Sequence, residues 1–428
     1  MSGRPVAPSG TVDPAVDLAD LHRELDARLS GDDAAFRRQY PGERAARQPI
    51  HTVYVPADRY TADLPEQWGD QAAVALAEHG QPDQLAAALA LPNDLVASIY
   101  PRMLAKLGRE PIEDLRIDFE DGYGLHGDEE EDRVVRAAAG QLRLAVTAGQ
   151  APPFIGIRFK SLEAPTRRRG IDTLDLFVAE LTATGGLPPG FVVTLPKVTS
   201  VEQVKAMVTA CERIEARHGL SAGDLRFEIQ VETPQAIIGS DGTALVAPMI
   251  HAAAGRCTGL HYGTYDYSAS CGIAAQYQSM EHPAADYAKS VMQVAAAGTG
   301  VRLSDGSTNV LPVGDAESVR SAWQLHARLV RRSLERGYYQ GWDLHPAQLP
   351  TRYLATYAFY LQGLPAALPR LHAYVHRQES GFLDEPATAV ALARFILRGI
   401  ECGAVEERDV LHELDIEAEK LLALARRT

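Results

Sequence analysis

Eight short runs of strand-forming residues recur between residues 51 and 346, separated by longer segments with helical apolar spacing. The runs are HTVYVPA (51–57), DLRIDFED (114–121), FIGIRFK (154–160), FVVTLPKV (191–198), RFEIQVET (226–233), CTGLHYGTYD (257–266), GVRLSDG (300–306) and YQGWDLHP (339–346). Between them, segments such as VEQVKAMVTACERIEARHG (201–219) and ESVRSAWQLHARLVRRSLERG (317–337) end in Gly, the usual stop signal of a helix. This alternation predicts an α/β fold, a parallel (β/α)8 TIM barrel over residues 49–350. The stretch 58–113 is long for a single crossover and is expected to hold extra helices. After Pro350 the strand rhythm stops, and 351–428 read as a C-terminal helical extension broken near HRQESGFLDEPA (376–387). Residues 1–48 read as an N-terminal arm, disordered over the Pro/Gly-rich positions 1–13. An amphipathic helix is expected from Val16 to about Leu29.

Composition narrows the function classes. A chain of 428 residues with 46% hydrophobic and 23% charged residues can bury a full core. Its net charge of −14 argues against a nucleic-acid partner, which needs a basic surface. The four cysteines (Cys211, Cys257, Cys271, Cys402) show no CxxC spacing, as expected of a reduced, cytoplasmic protein. No apolar run reaches the length of a membrane span, and MSGRPVAPSGTVDPAVD has no apolar signal core.

In a barrel of this kind the chemistry gathers at the C-terminal ends of the strands. The second run ends with Asp118, Glu120 and Asp121, and the third carries Arg158 and Lys160. The fourth ends with Lys197, the fifth with Glu232, the sixth with Asp266, and the eighth with Asp343 and His345. Two carboxylates on adjacent strands repel in a partly desolvated pocket unless one is protonated or a cation lies between them. Glu232 and Asp266, with oxygen-only surroundings, suit a hard divalent ion, Mg2+ or Mn2+, whose other positions go to water and substrate oxygens. No His/Cys cluster has zinc spacing.

Each residue also has a plainer explanation. ETPQA can begin a helix with Thr233 capping and Pro234 at the first position. Asp118, Glu120 and Asp121 can form a structural hydrogen-bond network, with Arg158 paired to one of them. Lys197 can cap a carbonyl, and His345 can orient a loop. Arg167, Arg168 and Arg169 form either a solvated basic loop or a site for substrate phosphate or carboxylate. Tyr262, Tyr265 and Tyr267, alternating along the sixth run, suit packing.

The ordered segments TVYVPADR (52–59), DFEDGYG (118–124), IRF (157–159), LPKV (195–198), VETPQAI (231–237), YGTYDYSASCG (262–272), GWDLHPAQL (341–349) and GFLDEPATAVALA (381–393) resemble the motifs of one superfamily. It is the HpcH/HpaI aldolase and citrate lyase β-subunit superfamily, in particular its malyl-CoA lyase branch. The stretch Gly263-Thr264-Tyr265-Asp266-Tyr267 is also similar to malate synthase. The resemblance spans roughly residues 50–395 and implies enolate chemistry at a Mg2+-bound oxo acid or thioester. It implies Glu232 and Asp266 as metal ligands and Arg158 as the donor to the enolate oxygen. Glu120 and Asp121 would orient Arg158 or a metal-bound water, while Lys197, Gly263, Thr264 and His345 would line the substrate pocket. Asp384 would transfer a proton, reaching the active site of a neighbouring subunit in a homo-oligomer, a trimer or hexamer, although DEPATAVALA also reads as an N-capped helix start.

Three functions remain in view. One is a Mg2+-dependent carbon–carbon lyase or aldolase acting on a 3-hydroxy (di)carboxylate, free or as a CoA thioester. The second is a malate synthase-like acyltransferase that condenses an acetyl thioester with a 2-oxo acid. The third is a catalytically inactive barrel that binds or assembles.

Overall fold

The computed structural model describes residues 18–43, 46–183, 185–378 and 385–426. The chain divides into two units, residues 1–41 and 42–428. The first holds helix α1 (Leu18–Gln39), longer than the helix expected to end near Leu29, with Leu18, Leu21, Leu25 and Leu29 all exposed. The segment 1–13 lies outside the described residues.

The second unit opens with β1 (His51–Pro56) and three helices, α2 (Leu64–His79), α3 (Pro82–Leu89) and α4 (Asn93–Arg109). These fill the long 58–113 stretch. There follow β2 (Asp114–Asp118), α5 (Asp128–Ala148), β3 (Phe154–Arg158), α6 (Arg167–Thr182), β4 (Phe191–Leu195), α7 (Val201–His218) and β5 (Phe227–Val231). Next come α8 (Pro234–Ile237), α9 (Val246–Ala252), β6 (Cys257–Tyr262), α10 (Thr264–Ser270) and α11 (Pro283–Ala296). The chain closes with β7 (Arg302–Ser304), α12 (Ala316–Glu335), β8 (Gly341–Asp343), α13 (Leu349–His376), α14 (Pro386–Glu401), α15 (Glu407–Leu414) and α16 (Ala418–Ala425). Local chemistry sets several of these boundaries. Ser200 caps α7 by accepting the Gln203 N–H (3.3 Å), and Gly219 ends it at φ 67°. Asp315 caps α12 by accepting the Ser318 N–H (2.8 Å).

The eight strands are all parallel, in the order β7-β6-β5-β4-β3-β2-β1-β8. A single bridge between Ser304 and Gln340 joins the two ends, with Asp305 N–H donating to Gln340 O (2.8 Å) and Trp342 N–H to Gly306 O (3.1 Å). The result is a (β/α)8 TIM barrel. Outward residues such as Val53, Leu115, Ile117, Ile155, Val193 and Ile229 pack on the helices in one apolar core. A second core joins α2, α4 and α13, and a third joins α13 to α14, α15 and α16.

The barrel interior is unusually polar. Arg116 on β2 reaches across to Glu228 on β5 through Nε (3.0 Å) and Nη2 (2.7 Å), while its Nη1 pairs with Asp114. Glu228 also accepts His261 Nε2 (3.0 Å), and His261 Nδ1 accepts the Trp342 indole N–H (3.2 Å). This cluster lines a cavity of about 510 Å3 at the N-terminal mouth, opposite the rim where the predicted acids lie.

Three expectations need correcting here. The sixth strand stops at Tyr262, so Asp266 stands in the first turn of α10, and Tyr262, Tyr265 and Tyr267 do not alternate along a strand. Lys160 does not reach the rim. Its Nζ is buried against α5, donating to Glu131 Oε2 (2.7 Å) and Phe119 O (2.8 Å). Asp343 is also turned away from the mouth. It accepts His51 Nδ1 (2.7 Å), His326 Nε2 (3.0 Å) and Arg352 Nη2 (2.9 Å) between the staves and α12–α13. These partners hold its carboxyl far below the usual range against the opposing effect of burial.

Asp343→Ala strands Arg352 in a buried setting without its counter-charge. Urea denaturation is expected to show a loss of roughly 3–5 kcal/mol of stability, the usual effect of breaking a buried ion pair.

Candidate active site

The C-terminal rim is organised around Glu232. Strand β5 places Glu228, Gln230 and Glu232 on the inward face by its two-residue period, with Ile229 and Val231 turned to the helices. Thr233 then caps α8, accepting the Ala236 N–H (3.3 Å) with Pro234 in the first turn. The helix start read in ETPQA therefore exists, and Thr233 supplies its cap, leaving the Glu232 carboxylate to the barrel. Glu232 is buried; Oε1 accepts the Lys197 backbone N–H (2.7 Å) and Oε2 accepts from Gln230 Nε2. Burial, with the Asp266 charge adding to it and Lys197 opposing, pushes the Glu232 carboxyl up to about 8.

Gly263 makes this proximity possible. It joins β6 to α10, donates its N–H to Val231 O (3.0 Å), and lies against Glu232. A Cβ there would stand 2.5 Å from Glu232 Cβ and 2.8 Å from Oε2, closer than any side chain tolerates. The next residue, Thr264, is buried and accepts the Ser307 N–H at Oγ1 (3.2 Å), while Tyr265 Oη accepts the Asn309 N–H.

Arg158, at the end of β3, is gripped by Asp118 in a bidentate pair, Nε to Oδ1 (2.7 Å) and Nη2 to Oδ2 (2.6 Å). Its Nη1 lies 3.3 Å from Gln230 Oε1 and 3.3 Å from Glu120 Oε2, and its guanidinium stacks 4.8 Å over the Tyr54 ring. Asp118, rather than Glu120 or Asp121, thus fixes the Arg158 plane. Glu120 and Asp121 instead share the Lys197 ammonium, with Asp121 Oδ2 at 2.6 Å. Burial raises the Glu120 carboxyl; that of Asp121 stays low because the Lys197 contact outweighs burial.

Lys197 has φ +51°, a left-handed conformation uncommon for a residue with a Cβ. That turn sends its N–H to Glu232 and its Nζ to Glu120 and Asp121. The same residue, through its backbone N–H and its ammonium, thereby links the ends of β2, β4 and β5 at one rim.

Other predicted residues stand elsewhere. His345 lies half-buried after β8 and caps a short turn, its Nδ1 accepting the Ala347 N–H (3.2 Å), with burial lowering its pKa. Arg167–Arg169 form the first turn of α6 rather than a loop, and Arg169 pairs with Asp132 (2.7 Å) and Glu131 (3.4 Å) of α5. Asp384 lies outside the described residues; α14 begins two positions later. Gln230 and Tyr54, which touch Glu232 and Arg158, were not anticipated. The alternation Glu-Ile-Gln-Val-Glu on the fifth run carried the signal for Gln230, which shares its face with both acids.

Among the described residues no group of three or more His, Cys, Asp or Glu side chains is arranged to hold a metal. Two hard carboxylates, one buried and one partly exposed, suffice for Mg2+, which takes its remaining ligands from water and substrate. Each Glu232 oxygen accepts one protein hydrogen bond and retains a second lone pair. Burial outweighs the Lys197 and Arg158 charges acting on Glu232, and Asp266 adds to the effect, so a divalent ion fits beside the two carboxylates.

A family model described as a domain of unknown function, DUF6986, matches residues 29–428. The chain belongs to this family. No curated protein matches it. Among solved structures it is similar to CitE from Mycobacterium tuberculosis in complex with magnesium, acetoacetate and coenzyme A. Identity there is 18%, over 84% of this chain and 100% of that one, with a TM-score of 0.48. A malate synthase from Haloferax volcanii, in a magnesium/glyoxylate complex, is 14% identical over 90% of this chain and 99% of that one, TM-score 0.46. An HpcH/HpaI aldolase/citrate lyase family protein from Burkholderia cenocepacia J2315 is 15% identical over 76% of this chain and 95% of that one, TM-score 0.38. No described helix is long and apolar enough to cross a membrane.

The raised Glu232 carboxyl gives a signed pH effect. Because the folded value lies above the unfolded one, stability falls as pH climbs from the ordinary carboxylate range through about 8. Full ionisation costs roughly 5 kcal/mol. Glu232→Gln, which keeps an acceptor for the Lys197 N–H, is therefore expected to melt above wild type at about pH 9 and close to it at about pH 5. At the higher pH, Mg2+ should raise the Tm of wild type and leave that of Glu232→Gln unchanged, as read by calorimetry.

Proposed function

We propose that this chain is a Mg2+-dependent carbon–carbon lyase of the aldolase type, acting on a 3-hydroxy (di)carboxylate, free or as a CoA thioester, through an enolate. Its support is the buried Glu232 carboxylate beside Asp266, with the Arg158 guanidinium on the same rim. That arrangement provides a cation site and an oxyanion site side by side. When bound, the divalent ion would supply Lewis acidity to the substrate's carboxylate and oxo oxygens. Glu232 and Asp266 would hold it.

In the cleavage direction the 3-hydroxyl proton leaves to a base and a carbonyl forms at that carbon. The bond to the neighbouring carbon breaks, and its electron pair becomes the enolate, which is later protonated at carbon. Arg158, held in one plane by Asp118, presents Nη donors to the enolate oxygen without reorienting; one such preorganised donor is worth roughly 3 kcal/mol. Lys197 balances the Glu120 and Asp121 charges and leaves Arg158 the cation of the oxyanion site. The family resemblance assigns the proton transfer to Asp384 of a neighbouring copy in a homo-oligomer.

The test is exchange of the pyruvate methyl protons with D2O, followed by NMR with Mg2+ and with chelator. Metal-dependent exchange is expected, and Arg158→Gln should slow it roughly 100- to 1,000-fold. Absence of exchange with pyruvate and of cleavage with oxaloacetate, alongside thiol release from acetyl-CoA plus glyoxylate, would replace the lyase with an acyltransferase.

A further inference from the structure

We infer that Gln230 is a positioning residue of the cation site: its side-chain amide holds the Glu232 carboxylate in one orientation and thereby sets a preference for Mg2+ over the larger Ca2+. The inference rests on the reading of Glu232 and Asp266 as the cation ligands. Gln230 is fully buried on the inward face of β5, between Glu228 of the interior cluster and Glu232 of the rim. Its Oε1 accepts Arg158 Nη1 (3.3 Å), and its Nε2 donates to Glu232 Oε2. One amide therefore spans the guanidinium and the carboxylate directly.

The two neighbours fix the direction of the amide. Reversed, it would set N–H groups against the guanidinium and an oxygen against the carboxylate. A neutral amide also meets a demand that no charged residue meets at this position. A lysine would neutralise Glu232 and compete with a divalent ion, while an acid would repel Glu232 and draw Arg158 into a second ion pair. Glutamine gives a donor to one neighbour and an acceptor to the other, and it neutralises neither.

Glu232 is confined on several sides. The Lys197 backbone N–H holds Oε1 (2.7 Å), Gln230 holds Oε2, and Gly263 lies against the same oxygen, 2.8 Å from where a Cβ would stand. Among the described residues Gln230 is the one side chain that hydrogen-bonds Glu232. Each carboxylate oxygen spends one lone pair on these bonds and keeps another in a set direction. Mg2+ demands near-octahedral placement of its ligands, whereas Ca2+ takes more oxygens in a flexible arrangement. A carboxylate free to turn therefore costs Mg2+ more than Ca2+. Arg158 depends on Gln230 far less, because Asp118 grips it at two points and Glu120 Oε2 lies 3.3 Å from its Nη1. Loss of the amide releases Glu232 and leaves the guanidinium in place.

The experiment measures Mg2+ and Ca2+ binding to the full chain by calorimetry. Gln230→Met keeps the length of the side chain and removes both hydrogen bonds. It is expected to weaken Mg2+ binding by about 10- to 100-fold, the usual effect of losing a ligand's hydrogen-bond partner, and Ca2+ binding by less. Gln230→Leu, a second apolar replacement, should change the ratio of the two affinities in the same direction, and both variants should keep the wild-type circular dichroism. An unchanged ratio in a folded variant, with both ions bound as before or both weakened alike, would overturn the role of Gln230 and leave the cation site standing. Misfolding of both variants would make the residue structural and overturn it as well. Wild type that binds neither ion would remove the cation site itself, and this inference with it.

Discussion

The Arg116–Glu228 pair spans the barrel interior, and the positions of the other interior side chains follow from it. TIM barrels usually fill this space with layers of branched aliphatic residues. Here β2 directs Asp114, Arg116 and Asp118 inward, and β5 directs Glu228, Gln230 and Glu232 inward. A buried ion pair contributes little net stability because desolvation offsets its attraction. It is nevertheless intolerant of a one-residue slip, which would turn every charge into the apolar helical layer. The cluster therefore fixes strand register more than it adds stability, and the rim acids inherit that fixed position.

The fold was readable because its signal is repetitive. Each strand alternates or runs apolar, each long helix carries its own stop, and eight repeats of one unit leave few topologies. Individual rim residues were harder to assign, because a strand end can turn a side chain inward, outward or into the next helix. Lys160 and Asp343 illustrate the limit: both are charged, one lies just past a strand end and the other at one, and both are consumed by pairs with the outer helices. Asp266 reached the predicted neighbourhood by a different route, from a helix that begins after Gly263 rather than from the strand itself. Gln230 was hidden because an uncharged amide attracts no notice in a list of charged groups, although the two-residue period places it between Arg158 and Glu232.

Balance of charge explains why the rim is not simply a patch of acids. Asp118 neutralises Arg158, and Lys197 is shared between Glu120 and Asp121, whereas Glu232 receives only hydrogen bonds from a backbone amide and a side-chain amide. Glu232 forms no direct ion pair, and only the more distant charges of Lys197 and Arg158 oppose its burial. The strained backbone at Lys197 belongs to the same arrangement. Strain of this kind persists where surrounding contacts over-determine it, here from both ends of one residue.

The seam between β7 and β8 differs from every other junction in the barrel. The two strands there are three residues each and meet through one bridge, while other neighbouring pairs share three or more paired positions. Few ladder bonds must break to part the cylinder along this line. Amide hydrogens of Asp305 and Trp342 should thus be the first of the sheet to trade with solvent, making this edge the place where the closed wall breathes.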